Sequence, residues 1–274
     1  MPITTDSVRT YYDENTNLFL KFSGTLREKP QNIHRSLWMQ DTKSLEDALN
    51  TSNALIKAEI ESVSQTNARI ADLGCGVGAS LFYIYPRLQN PSPALGLTLS
   101  PVQARLAQES ASQLGLQDHI RFAEGDFTSV PLPSDSLDAV YSVEAVCHAV
   151  DPEKYFKEAG RLLRKGGKLI LVDDYKSARS FNASEQKWFD AYIDGWYVPG
   201  VRTVKQTIDF ANKYGLQLKK NDELTPHLRL RNLPDFLASA LLFLGEKLPI
   251  KHAIVPSMLD RKSTRLNSSH LVIS

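Results

Sequence analysis

The stretch "ADLGCGVGAS", Ala71–Ser80, sets Gly74, Gly76 and Gly78 at alternate positions directly behind a carboxylate, Asp72. Glycines so spaced let backbone approach a ligand with no side chain in the way, and the carboxylate restricts the ligand's charge. Gly74, Gly76 and Ala79 satisfy the dinucleotide pattern G-x-G-x-x-G/A, which would seat a pyrophosphate at this turn. Asp72 would repel a pyrophosphate, whereas a ligand carrying an ammonium and a sulfonium would be held by it. The dinucleotide pattern also needs an acidic residue about twenty positions on to hold the ribose. Thr98 stands there instead. Farther along, "EAVCHA" places Glu144 and His148 four residues apart, so one helical turn would put both on one face.

These residues need elements to hold them. From Ala68 short apolar runs alternate with amphipathic stretches, the pattern of parallel βαβ units. "ARIADLG", "ALGLTL", "HIRFAEGD", "LDAVYSVEA" and "KLILVDDY" read as five strands, and "GLQLKKNDELT" as a sixth. The helix after the glycines carries Leu81, Tyr85 and Leu88, with Pro86 bending or ending it. The next has Ser100 as N-cap, Pro101 in its first turn, Gln103 closing a capping box and Gly115 as its stop. Another opens at Asp151 and Pro152 and is expected to stop at Gly166 and Gly167, and a last one runs from about Val204 to Tyr214. The fold class is α/β, a doubly wound parallel sheet. Right-handed crossovers then gather Asp72, Thr98, Asp126 and Glu144 at one sheet edge although they are distant in sequence.

"DLGCGVG", the "EGD" after the third strand and "LRKGGKLILVD" before the fifth resemble class I S-adenosylmethionine-dependent methyltransferases. "GLTLSPVQA", "YSVEAVCHAVDPEKYF" and the early "YYDENTNLF" are similar to the small-molecule branch with sterol, tocopherol and cyclopropane-fatty-acid methyltransferases, over roughly residues 8 to 225. That family normally ends its second strand in Asp or Glu, and the departure at Thr98 is usual in this branch. The resemblance implies a Rossmann-like methyltransferase sheet with S-adenosyl-L-methionine as cofactor. It implies that Gly74, Cys75, Gly76 and Gly78 line the cofactor, Cys75 as a small packed residue, while Asp72 helps hold the ammonium end. Thr98 and Gln103 would contact the adenosine, and Asp126 the adenine amine with Phe127 beside the ring.

Methyl transfer from a sulfonium is an in-line displacement with a good leaving group, so the protein's task is alignment and exclusion of water. Glu144 is expected as a site-facing carboxylate and His148 as a base or acceptor-orienting group. Tyr11, Tyr12, Phe19, Phe22 and Trp38 before the first strand suggest one lid. The insertion "QKWFDAYIDGWYVPGV" suggests a second. Their aromatic content suits an apolar or planar acceptor, an isoprenoid, sterol or quinone-like ring, methylated on carbon, oxygen or nitrogen. The rival readings are a nicotinamide-dependent reductase, a transferase using a related sulfonium cofactor, or a non-catalytic protein on the same sheet.

Composition narrows the partners. With 42% hydrophobic and 23% charged residues the chain can bury an ordinary core, and a net charge of +1 with no Lys or Arg block offers nucleic acid no footing. Cys75 and Cys147 match no metal or redox spacing, and the polar start has no signal-peptide core, so a cytoplasmic protein without a metal is expected. "FLASALLFLG", from Phe236, is too short to span a bilayer. The expected organisation is a helical cap over 1–66, a cofactor-binding core over 67–225 with a lid insertion at about 176–203, and a helical segment over 226–259. The tail, 260–274, resembles a translated sequencing adapter and is expected to be non-native. The family's seventh strand, antiparallel between the fifth and sixth, is then expected to be missing, or its slot poorly filled by "LVIS".

Overall fold

The structure, a computed structural model, describes residues 2–22, 32–229 and 266–274. Its seven strands are β1 (Ile70–Leu73), β2 (Ala94–Thr98), β3 (Ile120–Glu124), β4 (Leu137–Val143), β5 (Leu163–Lys176), β6 (Leu218–Glu223) and β7 (Leu266–Ile273). They form one sheet in the order β3-β2-β1-β4-β5-β7-β6. The helices are α1 (Thr5–Phe22), α2 (Leu45–Glu61), α3 (Ala79–Ile84), α4 (Pro101–Gln113), α5 (Pro152–Leu162), α6 (Ala183–Trp196) and α7 (Val204–Lys213).

All four residues of β1 are buried, as expected for a strand with both faces covered. One core joins β1, β4 and β5 to α5 and α7 through Val140, Phe156, Leu171 and Ala211; the other joins the sheet to α2, α3 and α4 through Ile56, Leu81, Ala107 and Tyr141. β1 pairs in parallel with both β2 and β4, so strand order reverses on either side of it. A crevice opens outside the carboxyl ends of strands at such a switch point, and it is where ligands bind in open α/β sheets. Asp72 on β1 and Glu144 just beyond β4 both stand there.

Three local expectations are corrected. Ser100 caps α4 by accepting the Gln103 N–H at 3.1 Å, but the capping box does not close, because the Gln103 side chain bonds elsewhere. Helix α5 ends at Leu162, not at Gly166 and Gly167. Leu163 already pairs with Leu137 of β4, and the chain passes the two glycines within a register irregularity, with Gly166 at φ +77°. The slot expected to be empty, or poorly filled by "LVIS", holds β7. It runs antiparallel to β5 from Leu169↔Ile273 to Lys176↔Leu266 and antiparallel to β6 on its other side.

The gain is physical: without β7 the inner edge of β5 would carry unpaired N–H and C=O groups. Ile273 is fully buried, and Ser274 exchanges two backbone hydrogen bonds with Gln217 ahead of β6. A chain shortened to end before Leu266 is expected to aggregate or lose its cooperative thermal transition; melting at the wild-type temperature would show that β7 adds nothing. The helical segment expected over 226–259, with "FLASALLFLG", lies outside the described residues from position 230 on.

The two aromatic segments pack on each other. Tyr11 of α1 stacks on Tyr197 with ring centroids 4.8 Å apart, and Phe19 stacks on Trp196 at 6.4 Å. Trp38 instead lies under the Arg229 guanidinium, 3.5 Å from its ring centroid. The Phe22 side chain lies outside the described residues.

Candidate active site

A cavity of about 470 Å³ occupies the crevice, within the usual size range of small-molecule sites. Its walls include Asp72, Gly74, Cys75, Gly76, Thr98, Gln103, Asp126, Phe127, Glu144 and His148; Gly78 is not among them. At the glycine turn, Gly74 and Cys75 both donate their N–H to Leu97 O, at 2.8 and 2.9 Å, which pins the turn to β2. Gly74 has φ +95°, and a Cβ there would stand 2.4 Å from the Ala145 Cβ. Only glycine lets β1 and the loop after β4 come so close. A Cβ on Gly76 would meet nothing within 4 Å, so this glycine leaves open space. Gly78 serves packing, against the Phe122 ring.

Asp72 is 2% exposed, and no Lys, Arg or His among the described residues pairs with it. Burial pushes its carboxyl up to about 8. The Tyr141 hydroxyl, beside it but outside hydrogen-bond geometry, offsets part of the rise. Thr98 donates its hydroxyl to Gln103 Oε1 at 2.7 Å, and Gln103 Nε2 donates to Thr16 Oγ1 of α1 at 3.1 Å. Asp126 accepts the Thr128 N–H at 2.8 Å, and Phe127 packs edge-on against Tyr155 at 5.1 Å.

Glu144 and His148 do not share a helical face. Glu144 sits at φ +46° with its N–H on Val172 O, turning the chain sharply off β4, and only Val146–His148 form a short 3₁₀ turn. They nevertheless line the same cavity. His148 Nδ1 lies 2.8 Å from the Tyr197 carbonyl and Nε2 2.6 Å from the Tyr12 hydroxyl. Burial lowers its pKa to about 4, so the ring is neutral at physiological pH. Glu144 Oε1 accepts the backbone N–H of Arg35 at 2.9 Å.

Residues 71–171 match the family described as a methyltransferase domain. The chain carries a class I, S-adenosylmethionine-dependent methyltransferase domain. Among similar proteins is a probable tocopherol O-methyltransferase of Oryza sativa subsp. japonica, 28% identical over 54% of this chain and 42% of that protein. Another is a cycloartenol-C-24-methyltransferase of Arabidopsis thaliana, 27% identical over 78% of this chain and 61% of that protein. The chain thus spans about half the length of such relatives. The crystal structure of the [4+2]-cyclase SpnF superposes with a TM-score of 0.76 at 20% identity, covering 98% of this chain and 96% of that one, a likeness of fold.

Several contacts around the cavity escape a reading of the sequence. Arg35 pairs with the buried Asp174, and Tyr192 of α6 donates its hydroxyl to the same carboxylate at 2.9 Å. Arg9 Nε donates to Leu99 O at 3.3 Å, and Ser100 Oγ donates to Asp13 at 2.5 Å. These contacts strap α1 to the loop after β2. The only sequence signal for them is the "YYDENTNLF" stretch, which marks α1 without naming its partners. Among the described residues no group of three or more His, Cys, Asp and Glu could hold a metal ion, and no helix is long and apolar enough to cross a membrane.

Proposed function

We propose that this protein transfers a methyl group from S-adenosylmethionine to a small acceptor with an apolar or ring-containing body, of isoprenoid, sterol or quinone-like kind. The observation that carries the reading is Asp72, a buried carboxylate with no cation of the protein beside it, at the wall of the cavity. When bound, S-adenosylmethionine supplies a methyl group on a positively charged sulfur. Asp72 would hold its ammonium, and the bare backbone at Gly76 would let it approach. Asp126 and Phe127 would hold the adenine, and Thr98 the adenosine. Gln103, whose amide is engaged by Thr98 and Thr16, would fix Thr98 and dock α1 rather than touch the adenosine itself.

Glu144 and His148 would face the acceptor. Tyr12, Phe19, Trp196 and Val198 supply an apolar wall from α1, α6 and the turn after α6, and their closure keeps water from the reacting atoms. Tocopherol and cycloartenol, named for the relatives' reactions, have bodies that suit such a wall. A dinucleotide fits less well, because Thr98 replaces the ribose-binding acid and gives its hydroxyl to Gln103. Two free cysteines in separate segments and the near-neutral charge suit a cytoplasmic protein with a small-molecule partner and no nucleic acid.

Calorimetric titration with S-adenosylhomocysteine, beside NAD and NADP, tests this. Micromolar binding of the first alone is expected. Because Asp72 is mostly protonated at pH 7 and must ionise to hold an ammonium, binding should release close to one proton, read from the dependence of the heat on buffer ionisation. Binding of NADP, or no binding of S-adenosylhomocysteine by a folded chain, would overturn the reading.

A further inference from the structure

The partners of His148 decide what it can do, and they bring in a residue of α1. A backbone carbonyl only accepts hydrogen bonds, so Nδ1, 2.8 Å from Tyr197 O, carries the ring hydrogen. In the neutral ring Nε2 is then a lone pair, and it accepts the single hydrogen of the Tyr12 hydroxyl at 2.6 Å. Burial raises the Tyr12 hydroxyl well above its ordinary pKa, which keeps that hydrogen in place. Both nitrogens of His148 are therefore occupied by protein, and neither is left for an acceptor. The Tyr12 oxygen, its hydrogen engaged by His148, still offers lone pairs, and Tyr12 lines the cavity together with His148. What it can receive there is a hydrogen from a ligand.

Resting on the methyl-transfer reading, we propose that Tyr12, backed by His148, takes the proton of the acceptor, and that the acceptor presents a hydroxyl at the atom to be methylated. The acceptor oxygen forms its bond to the methyl carbon as the carbon–sulfur bond breaks and its electron pair stays on sulfur. The acceptor's proton passes to the Tyr12 oxygen while the Tyr12 proton passes to His148 Nε2. The ring becomes an imidazolium held at Nδ1 by Tyr197 O, and its extra proton later returns to solvent. The positive charge lost from sulfur is the charge gained by the ring, so the step balances. An alkene acceptor has no hydrogen to donate to the Tyr12 oxygen.

Two measurements on the full chain test this. Nitrogen-15 NMR of labelled histidine, without any acceptor, should find His148 neutral at pH 7 with the hydrogen on Nδ1, and its Nε2 resonance should shift in Tyr12→Phe while S-adenosylhomocysteine affinity stays within about threefold. A hydrogen on Nε2 would overturn the relay. Labelled methyl transfer to γ-tocopherol and a ubiquinol, set against squalene, an isoprenoid alkene with no hydroxyl, should give methyl ethers of the first two and no product from the third. Tyr12→Phe and His148→Gln should each lower kcat by about 10²- to 10⁴-fold with little change in acceptor KM, and the double variant should fall no further than the worse single one. A carbon-methylated product, an unchanged kcat in Tyr12→Phe, or losses that multiply would sink the proposal. If the wild type binds no S-adenosylhomocysteine, it is the methyl-transfer reading that fails.

Discussion

Asp72→Asn should weaken S-adenosylhomocysteine binding at least about a hundredfold, the usual scale for removing one partner of a buried charge pair. Without ligand, the same substitution should raise the melting temperature at pH 8.5. The two effects have one cause. The Asp72 carboxyl is raised to about 8 in the folded protein by burial, against an ordinary value near 4 in the unfolded chain. Between those values the folded state holds a proton that the unfolded chain has released, so the ligand-free protein loses stability as pH rises from about 4 to about 8. Asparagine does not titrate and escapes that loss. Its advantage should therefore be small at pH 5 and grow to roughly several degrees at pH 8.5. With ligand that saturates the wild type the order should reverse, because the tighter-binding wild type gains more stability from it. Thermal melts across pH with and without S-adenosylhomocysteine test all of this at once. A variant that binds as the wild type does would remove Asp72 from the ligand's ammonium, and one that without ligand melts lower than the wild type at every pH would overturn the proton-holding buried carboxyl.

Gly74→Ala and Gly76→Ala should separate the two uses of the glycine turn. At Gly74 the new methyl would overlap the Ala145 Cβ, and φ +95° is strained for any L side chain. The turn cannot easily yield, since Leu97 O holds the N–H groups of Gly74 and Cys75. Overpacking and strain together should cost about 2–5 kcal/mol, a fall of roughly 10 °C in melting temperature, with binding lost as the loop after β4 shifts. Ala145→Gly should restore part of the stability, because it removes the atom that is struck. At Gly76 there is room for the methyl, so only the left-handed backbone at φ +54° is penalised, by about 1–2 kcal/mol. Its binding loss should nevertheless be as large, because the methyl would stand where backbone meets ligand. Wild-type affinity in Gly76→Ala would place the ligand elsewhere in the cavity; wild-type stability in Gly74→Ala would mean that β1 and the loop after β4 are not locked together.

The sequence alone determined the frame and the residue types at the glycine turn. Apolar runs of strand length between capped helices encode a doubly wound sheet locally, and the chemistry of Asp72 before Gly74 and Gly76 lies within a few residues. Partner choice was not legible. Gln103 could have closed a capping box; instead the docking of α1 offers it Thr16, 87 positions away, and Thr98. Glu144 and His148 looked like one helical face, but a left-handed residue at Glu144 and the close approach of Gly74 to Ala145 replace the helix with a sharp turn. Tyr12 read as lid packing until tertiary structure set it on His148, 136 positions on. The slot beside β5 was filled because an unpaired strand edge is costly, a demand made by the sheet and invisible in the tail itself. Periodicity and spacing fix what neighbours along the chain can do; hydrogen bonds across the cavity are fixed only when α1, α6 and the sheet close on one another.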